Sequence, residues 1–187
     1  MAYASLHDRL RGPIAAALQR ELTVANRHAL PQIEKITVNV GINHSKMEGK
    51  EFVEHIADVL SRITGQKPSL RLARKSIANF KIREGVIVGA MVTLRGRRME
   101  GFLDRLLHVV LPRTRDFRGL SPLFDGHGNY ALGIPDYSVF PEVPPPPDVR
   151  KLFGLQVQVT TTAGNDAQAC TLLRAVGFPF RALRSIP

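Results

Sequence analysis

Cysteine is almost missing from this sequence, and long apolar segments are missing altogether. Cys170 is the only cysteine among 187 residues, so neither a disulfide nor a cysteine-rich metal site can form within the chain. No apolar run approaches the roughly 20 residues that a membrane-spanning helix needs. The hydrophobic content of 44% is ordinary for a globular protein. These features predict a globular protein of a reducing cytosol, long enough for one domain with a sizeable core.

Catalytic motifs are also missing. The chain contains no GxSxG, Walker or GxGxxG pattern, and none of its six histidines has HExxH spacing or pairs with a cysteine. The nearest approach to a site is "FDGHGNY", which places Asp125, His127 and Asn129 on a glycine-rich turn. Such a turn can hold a metal or phosphate, but more often Asp and Asn bond their own backbone there. We therefore expect no enzyme activity, no cofactor and no metal site.

Acidic residues are scarce in one part of the chain only. Of the 26 basic residues 14 lie between Arg62 and Arg118, against 4 of the 16 acidic residues, so the whole net charge of +10 arises there. General solubility charge would be spread more evenly. A basic region this concentrated is typical of a protein that binds a polyanion.

Hydrophobic periodicity predicts an α+β fold, with a mainly antiparallel sheet, helices packed on one face and the other face open. Helices are expected over residues 5–22 (kinked at Gly12-Pro13), 49–64, 97–111 (closed by Pro112) and 165–176. Strands are expected over 33–42, 69–73, 86–96, 129–134 and 155–162. The whole chain, 1–187, is predicted to be a single domain with a basic loop at 74–84 and a proline-rich connector at 141–148.

Alternation along the strands separates an apolar side from a polar side. Leu70 and Leu72 are expected to point inward, and Gly89 outward. The side chains predicted on the open face are mostly uncharged or basic: Lys35, Thr37, Asn39, Thr93, Arg95, Gln156, Gln158 and Thr160. An ordinary solvated face mixes Lys with Glu, so the shortage of carboxylates favours a face that binds RNA.

The stretch "RLARKSIANFKIREG", residues 71–85, is the strongest local candidate for RNA binding. Its cations can neutralise phosphates, and its polar side chains can bond sugar or phosphate; these residues are Arg74, Lys75, Ser76, Asn79, Lys81 and Arg83. Phe80 could stack on an unpaired base, or it could fold back onto the domain and pin the loop. No aromatic pair of the RNA-recognition motif is present.

Two arginine clusters flank the helix predicted at 97–111. Arg97 and Arg98 begin that helix, where free backbone N–H groups favour phosphate. Arg113, Arg115 and Arg118 follow it, and they either bind RNA or cap the helix and pair with an adjacent carboxylate.

Seven ordered segments of the chain resemble the L-five family of large-subunit ribosomal proteins. They are "PQIEKITVNVGI", "ITGQKP", "ARKSIANFKIREG", "GAMVTLRGRRMEGFLDRLLHVVLPRTRDFRGLSP", "FDGHGNYALGI", "VFPEV" and "GFPFR". The resemblance runs from about Leu6 to Arg181 in matching order and spacing. It departs in "SPLFDG", which is one residue short, in the proline-rich segment near 135–148, and at His127, where the family often has Arg.

The resemblance implies a structural ribosomal protein that binds 5S rRNA in the central protuberance. It implies further partners: large-subunit rRNA, peptidyl-site tRNA, a head protein of the small subunit and other central-protuberance proteins. The family's 5S positions match Asn39, Gln66, Phe80 and Thr93, with Phe80 near the root of the basic loop; Lys35 and Arg95 join them from the predicted open face. The tRNA contact matches the loop at 74–83. An enzyme using Asp125 and His127, and a generic polyanion binder, are the alternatives.

Overall fold

Short helices alternate with five strands in the computed structural model of the chain, which describes residues 6–42, 50–80, 82–115, 117–144 and 152–181. The strands are β1 (Ile33–Gly41), β2 (Ser69–Leu72), β3 (Ile87–Leu94), β4 (Tyr130–Ile134) and β5 (Leu155–Thr161). The helices are α1 (Leu6–Arg11), α2 (Pro13–Glu21), α3 (Lys50–Thr64), α4 (Gly96–Arg105), α5 (Leu111–Arg113) and α6 (Asp166–Val176). No described helix has the length and apolar character needed to cross a bilayer.

The strands form one antiparallel sheet in the order β2-β3-β1-β5-β4. The predicted α+β class is therefore confirmed, and every predicted strand is present within one or two residues of its expected bounds. The predicted kink is present as well, because α1 ends at Arg11 and α2 starts at Pro13, whose fixed φ suits the first turn of a helix.

The chain divides into two compact units that interleave along the sequence. Unit 1 contains residues 1–36, 95–132 and 158–187, and unit 2 contains residues 37–94 and 133–157. The single-domain organisation stays a prediction. Of the proline-rich connector, residues 145–148 lie outside the described part of the chain, while Val143 just before them is buried.

In unit 1, helices pack on helices: α1 contacts α4, and α2 contacts α6. The α1–α4 contact includes a polar pair, since His7 Nδ1 lies 3.0 Å from a carboxylate oxygen of Glu100. Leu18 of α2 and Leu172 of α6 are both buried.

In unit 2, α3 packs against β3. The contact side of α3 carries Ile56, Leu60 and Ile63, all fully buried. An aromatic cluster extends this core, with the rings of Tyr137 and Phe153 4.5 Å apart and His55 Nε2 3.1 Å from the hydroxyl of Tyr137. One face of β1 and β3 is therefore covered, and side chains of the other parity remain accessible.

Three local expectations need correction. Leu70 lies on the core side as predicted, opposite the buried Ala90, but Leu70 and Leu72 are 42% and 58% exposed because β2 is the edge strand of the sheet. Gly89 is buried rather than open, because a Cβ there would lie 2.8 Å from the backbone oxygen of Val40. The helix passes Pro112 and ends at Arg113: a π-turn over Leu106–Val110 precedes the proline, which then falls in the first turn of α5, where its missing N–H is tolerated.

Candidate nucleic-acid interface

Unit 2 exposes a row of uncharged polar side chains on β1 and β3, which we call the polar strand face: Thr37, Asn39 and Thr93. All three are half-buried and alternate with core residues, since Val38, Val40, Val92 and Leu94 are at most 1% exposed. β1 and β3 are neighbours, and the N–H of Ile42 donates to the carbonyl of Val88 at 2.9 Å just beyond β1. Regular strands therefore hold these side chains in fixed places, as a rigid binding surface requires.

Gln66 lies in the turn after α3, and its backbone is anchored by a buried threonine. The hydroxyl of Thr64, which is 4% exposed, lies 3.1 Å from the carbonyl of Gln66 and 3.3 Å from its N–H. The side chain of Gln66 is half-exposed and is left to make contacts outside this turn. A donor and acceptor amide on a fixed backbone is well suited to reading a base edge or a ribose.

Residues 74–84, which we call the basic hairpin, continue the β2–β3 pair. Ile77 and Ile82 form an antiparallel bridge with N–H to carbonyl distances of 2.9 and 3.2 Å. Ser76 Oγ accepts a hydrogen bond from the N–H of Glu84 at 2.9 Å, so this hydroxyl helps to close the hairpin. The predicted tRNA-binding residues Arg74, Lys75, Ser76, Asn79 and Arg83 are all exposed. Lys81, the sixth of them, lies outside the described residues.

Phe80 lies at the tip of the basic hairpin and not near its root, which corrects the expectation from the sequence. It ends a 3-10 turn over Ala78–Phe80, between the two bridged residues Ile77 and Ile82. Its side chain is 65% exposed, so it does not fold back to pin the loop. The alternative in which Phe80 folds back is therefore wrong, and stacking of this ring on a base stays a prediction.

Unit 1 contains the two remaining 5S candidates, Lys35 and Arg95. Lys35 is half-buried on β1, and Arg95 is exposed just before α4. A guanidinium nitrogen of Arg95 lies 2.9 Å from the Glu34 carboxylate, and this hydrogen bond lowers the pKa of Glu34. Sequence reasoning missed this pair because Glu34 belongs to the other parity of β1. Glu34 therefore offsets part of the positive charge that Arg95 presents to RNA.

The arginines after α5 do not cap the helix among the described residues. Thr114 takes that role, with its N–H donating to Leu111 at 3.1 Å and its hydroxyl donating to Val110 at 3.1 Å. Arg113 is the last residue of α5 and Arg115 follows it, and within the described residues neither bonds the carbonyls of this helix. Arg118 is exposed further along the chain. The carboxylate predicted to pair with these arginines, residue 116, lies outside the described part of the chain.

The "FDGHGNY" segment is a turn rather than a catalytic centre. The Asp125 carboxylate accepts from the backbone N–H of His127 at 2.8 Å and of Asn129 at 3.0 Å, and from the Asn129 amide at 2.7 Å. From outside the turn, Asp166 accepts from the N–H groups of Gly126 and Gly128. Within the described residues no three His, Cys, Asp or Glu side chains cluster as metal ligands would.

Replacing Asp125 by Ala tests this turn through pH. The hydrogen bonds from Asn129 lower the Asp125 pKa from 3.8 to about 2. The pKa of Asp125 is lower in the folded chain than in the unfolded chain, so its ionised carboxylate stabilises the fold at pH values above the ordinary pKa. This stabilisation is lost as the pH falls toward the pKa of the folded state. We expect Asp125→Ala to lower the melting temperature near neutral pH and the gap from wild type to close between about pH 4 and about pH 2.

The control for this measurement is Asp58→Ala, which removes an exposed carboxylate paired with Arg62 one helical turn away. Exposed pairs of this kind contribute little, so the melting temperature should hardly change. A gap between wild type and Asp125→Ala that stayed constant down to pH 2 would show that the carboxylate's charge plays no part in the turn.

Two family models together match most of the chain. Residues 26–83 match the model described as ribosomal protein L5, and residues 87–180 match the model described as the C-terminus of the same ribosomal family. Similar curated proteins include the "large ribosomal subunit protein uL5" of Rubrobacter xylanophilus, 51% identical over 95% of this chain and 98% of that protein. The proteins of the same description from an Anaeromyxobacter strain (Fw109-5) and Thermotoga maritima are 49% and 45% identical, with 95% and 96% of this chain covered. All the predicted RNA-binding positions fall within the two matched ranges.

Proposed function

Because the chain belongs to the ribosomal protein L5 family, we propose that it binds 5S rRNA through the polar strand face and contacts peptidyl-site tRNA through the basic hairpin. Family membership makes the chain a structural constituent of the large ribosomal subunit, acting in translation and not as an enzyme. Its partners are therefore ribosomal RNA and other ribosomal proteins, and its place is the ribosome in the cytoplasm.

The accessible polar row on β1 and β3 is the observation that carries the 5S proposal. Asn39 and Thr93 offer donors and acceptors from two adjacent strands whose opposite sides are buried. No carboxylate belongs to this row, so an approaching phosphate meets no like charge from it. Gln66 and Phe80, in the same unit, add an amide and a ring that can stack. Lys35 and Arg95, which belong to unit 1, are proposed as separate 5S contacts of that unit.

The tRNA proposal has its support in the charge and shape of the basic hairpin. Arg74, Lys75 and Arg83 are exposed on a hairpin whose stem is closed by the bridge between Ile77 and Ile82. These cations lie beyond the end of β2 and before the start of β3, next to that bridge, where a second RNA can reach them. The contact with a head protein of the small subunit is a further proposal, which has its support in family membership alone.

Competition between RNAs tests the 5S proposal against generic polyanion binding. Labelled 5S rRNA bound to the purified chain is displaced with unlabelled 5S rRNA or with an unrelated structured RNA of equal length. We expect the unrelated RNA to compete at least about tenfold less well, since phosphate contacts alone do not discriminate sequence or fold. Equal competition by the two RNAs would favour the generic polyanion binder.

Removing three cations from the basic hairpin tests the tRNA proposal separately. We expect Arg74→Ala combined with Lys75→Ala and Arg83→Ala to weaken tRNA binding to the assembled large subunit by about tenfold or more, because each cation neutralises a phosphate. The 5S affinity of the free chain should change much less. Matched removal of Arg9, Arg20 and Arg174, three cations on the helices of unit 1, is the control. Loss of 5S binding with tRNA binding unchanged would reverse the two assignments.

A further inference from the structure

Exposed aliphatic side chains are concentrated at one edge of unit 2. Five large hydrophobic side chains are exposed among the described residues, and four of them fall between positions 70 and 80. Phe80 and Ile77 belong to the basic hairpin, but Leu70 and Leu72, on β2, have no part in the proposed RNA contacts. Two neighbouring leucines that face water leave apolar surface hydrated, which is unfavourable. A partner that covers them gains the free energy of burying that surface.

The two leucines point away from the polar strand face. In the register of β2 and β3, Leu70 is opposite Ala90, which is fully buried on the core side, whereas Arg71 is opposite Gly89 on the other side. The pairing shifts by one residue between Arg71 and Leu72, since Leu72 is opposite Ile87 and not Val88. The extra residue belongs to β3, so the alternation along β2 still places Leu72 on the side of Leu70. A ligand on the polar strand face therefore cannot cover Leu70 and Leu72.

β2 also offers unpaired backbone groups. Among the described residues it is the edge strand of the sheet, paired with β3 on one side only. Every second N–H and carbonyl of an edge strand points outward and can pair with an added strand. Aliphatic side chains have neither the π-face nor the donors that favour nucleic acid, so a polypeptide fits this edge better than RNA does.

We propose that β2 docks an extended segment of another protein, which adds to the sheet as a strand. Because side chains alternate along β2, the added strand should carry two kinds of side chain. They are apolar on the side of Leu70 and Leu72 and acidic on the side of Arg71. Exposed Arg74 and Lys75 reinforce that preference. A second copy of this chain would bring the same cations to the edge, so like-charge repulsion disfavours pairing of two β2 strands. This inference does not depend on 5S or tRNA binding.

Photo-cross-linking from position 72 in purified large subunits tests the proposal. Leu72 is replaced by benzoylphenylalanine, and the cross-linked product is digested and identified. We expect a protein–protein product whose cross-linked segment alternates apolar with acidic residues. A product with ribosomal RNA would show that the edge binds RNA. The absence of any product would show that the edge binds no partner in the subunit. Either result overturns the proposal. The same probe at Leu123, which is 72% exposed in unit 1, is the control and should not capture that segment.

A binding measurement then tests the strand addition itself. A synthetic peptide with the sequence of the captured segment is titrated into the full chain and into Leu70→Thr combined with Leu72→Thr. The two threonines are β-branched and so suit a strand. We expect the double variant to bind about tenfold more weakly or worse, as the loss of two buried leucines implies. Leu123→Thr should bind as wild type. Unchanged affinity in the double variant would show that the leucines are not the contact.

Discussion

Gly89→Val is expected to destabilise the protein by about 3 kcal/mol or more, a cost at the upper end for overpacking a closely packed site. A Cβ at position 89 would lie 2.8 Å from the carbonyl oxygen of Val40, a backbone atom that cannot rotate away. To make room, β3 must move from β1, which disturbs hydrogen bonds as well as packing. Glycine in a strand often marks such a close approach of another backbone.

Thermal unfolding measures this effect. For a chain of this length we expect a fall in melting temperature of roughly 6–12 °C. Gly133→Ala is the matched control, because Gly133 lies on a strand of the same unit and a Cβ there meets no atom within 4 Å. It should change stability by at most about 0.5 kcal/mol. If Gly89→Val melted like Gly133→Ala, the two strands would not be as close as the structure places them.

Asn39→Ala combined with Thr93→Ala is expected to weaken 5S rRNA binding by at least about thirtyfold. Each substitution removes a polar group that the proposal pairs with RNA, and a lost bond of this kind costs about 1–3 kcal/mol. The fold should be preserved, because both side chains are only half-buried and the core residues beside them are unchanged. The loss should therefore appear in affinity and not in melting temperature.

Thr171→Ala is the matched control for this double variant. Thr171 lies on α6, in unit 1, and its hydroxyl donates to the carbonyl of Ala167 in its own helix. Its 5S affinity should equal that of wild type. Wild-type affinity in the double variant as well would remove the polar strand face from the 5S contact, whatever the other candidates do.

The order of the elements could be predicted from the sequence because local periodicity determines it. Strict alternation in "IEKITVNVGI" placed Val38 and Val40 inside and Asn39 outside, and the structure agrees. The same reasoning failed for Leu70 and Leu72, because alternation gives the side of a residue and not what covers that side. Whether a side chain is buried depends on its strand's position in the sheet. That position is set by pairing between residues far apart in sequence.

The site could be predicted only in part, for the same reason. The polar row on β1 and β3 follows from alternation, and the exposed cations of the basic hairpin follow from composition. Two features could not be predicted in this way. They are the ion pair of Arg95 with Glu34 and the hydrogen bonds that Asp166 accepts from the "FDGHGNY" turn. Each joins residues at least 38 apart in the chain. Phe80 is at the hairpin tip because Ile77 pairs with Ile82, a register that a loop sequence does not reveal.

Amide chemical-shift mapping of the labelled chain, free and bound to 5S rRNA, tests the central claim most directly. We expect the largest shifts on the strand residues around Asn39 and Thr93 and on the turn at Gln66, while α6 stays unchanged. We also expect that an unrelated RNA of equal length does not reproduce this pattern. Shifts confined to α6 and the other helices, with β1 and β3 silent, would contradict the proposal that the polar strand face binds 5S rRNA.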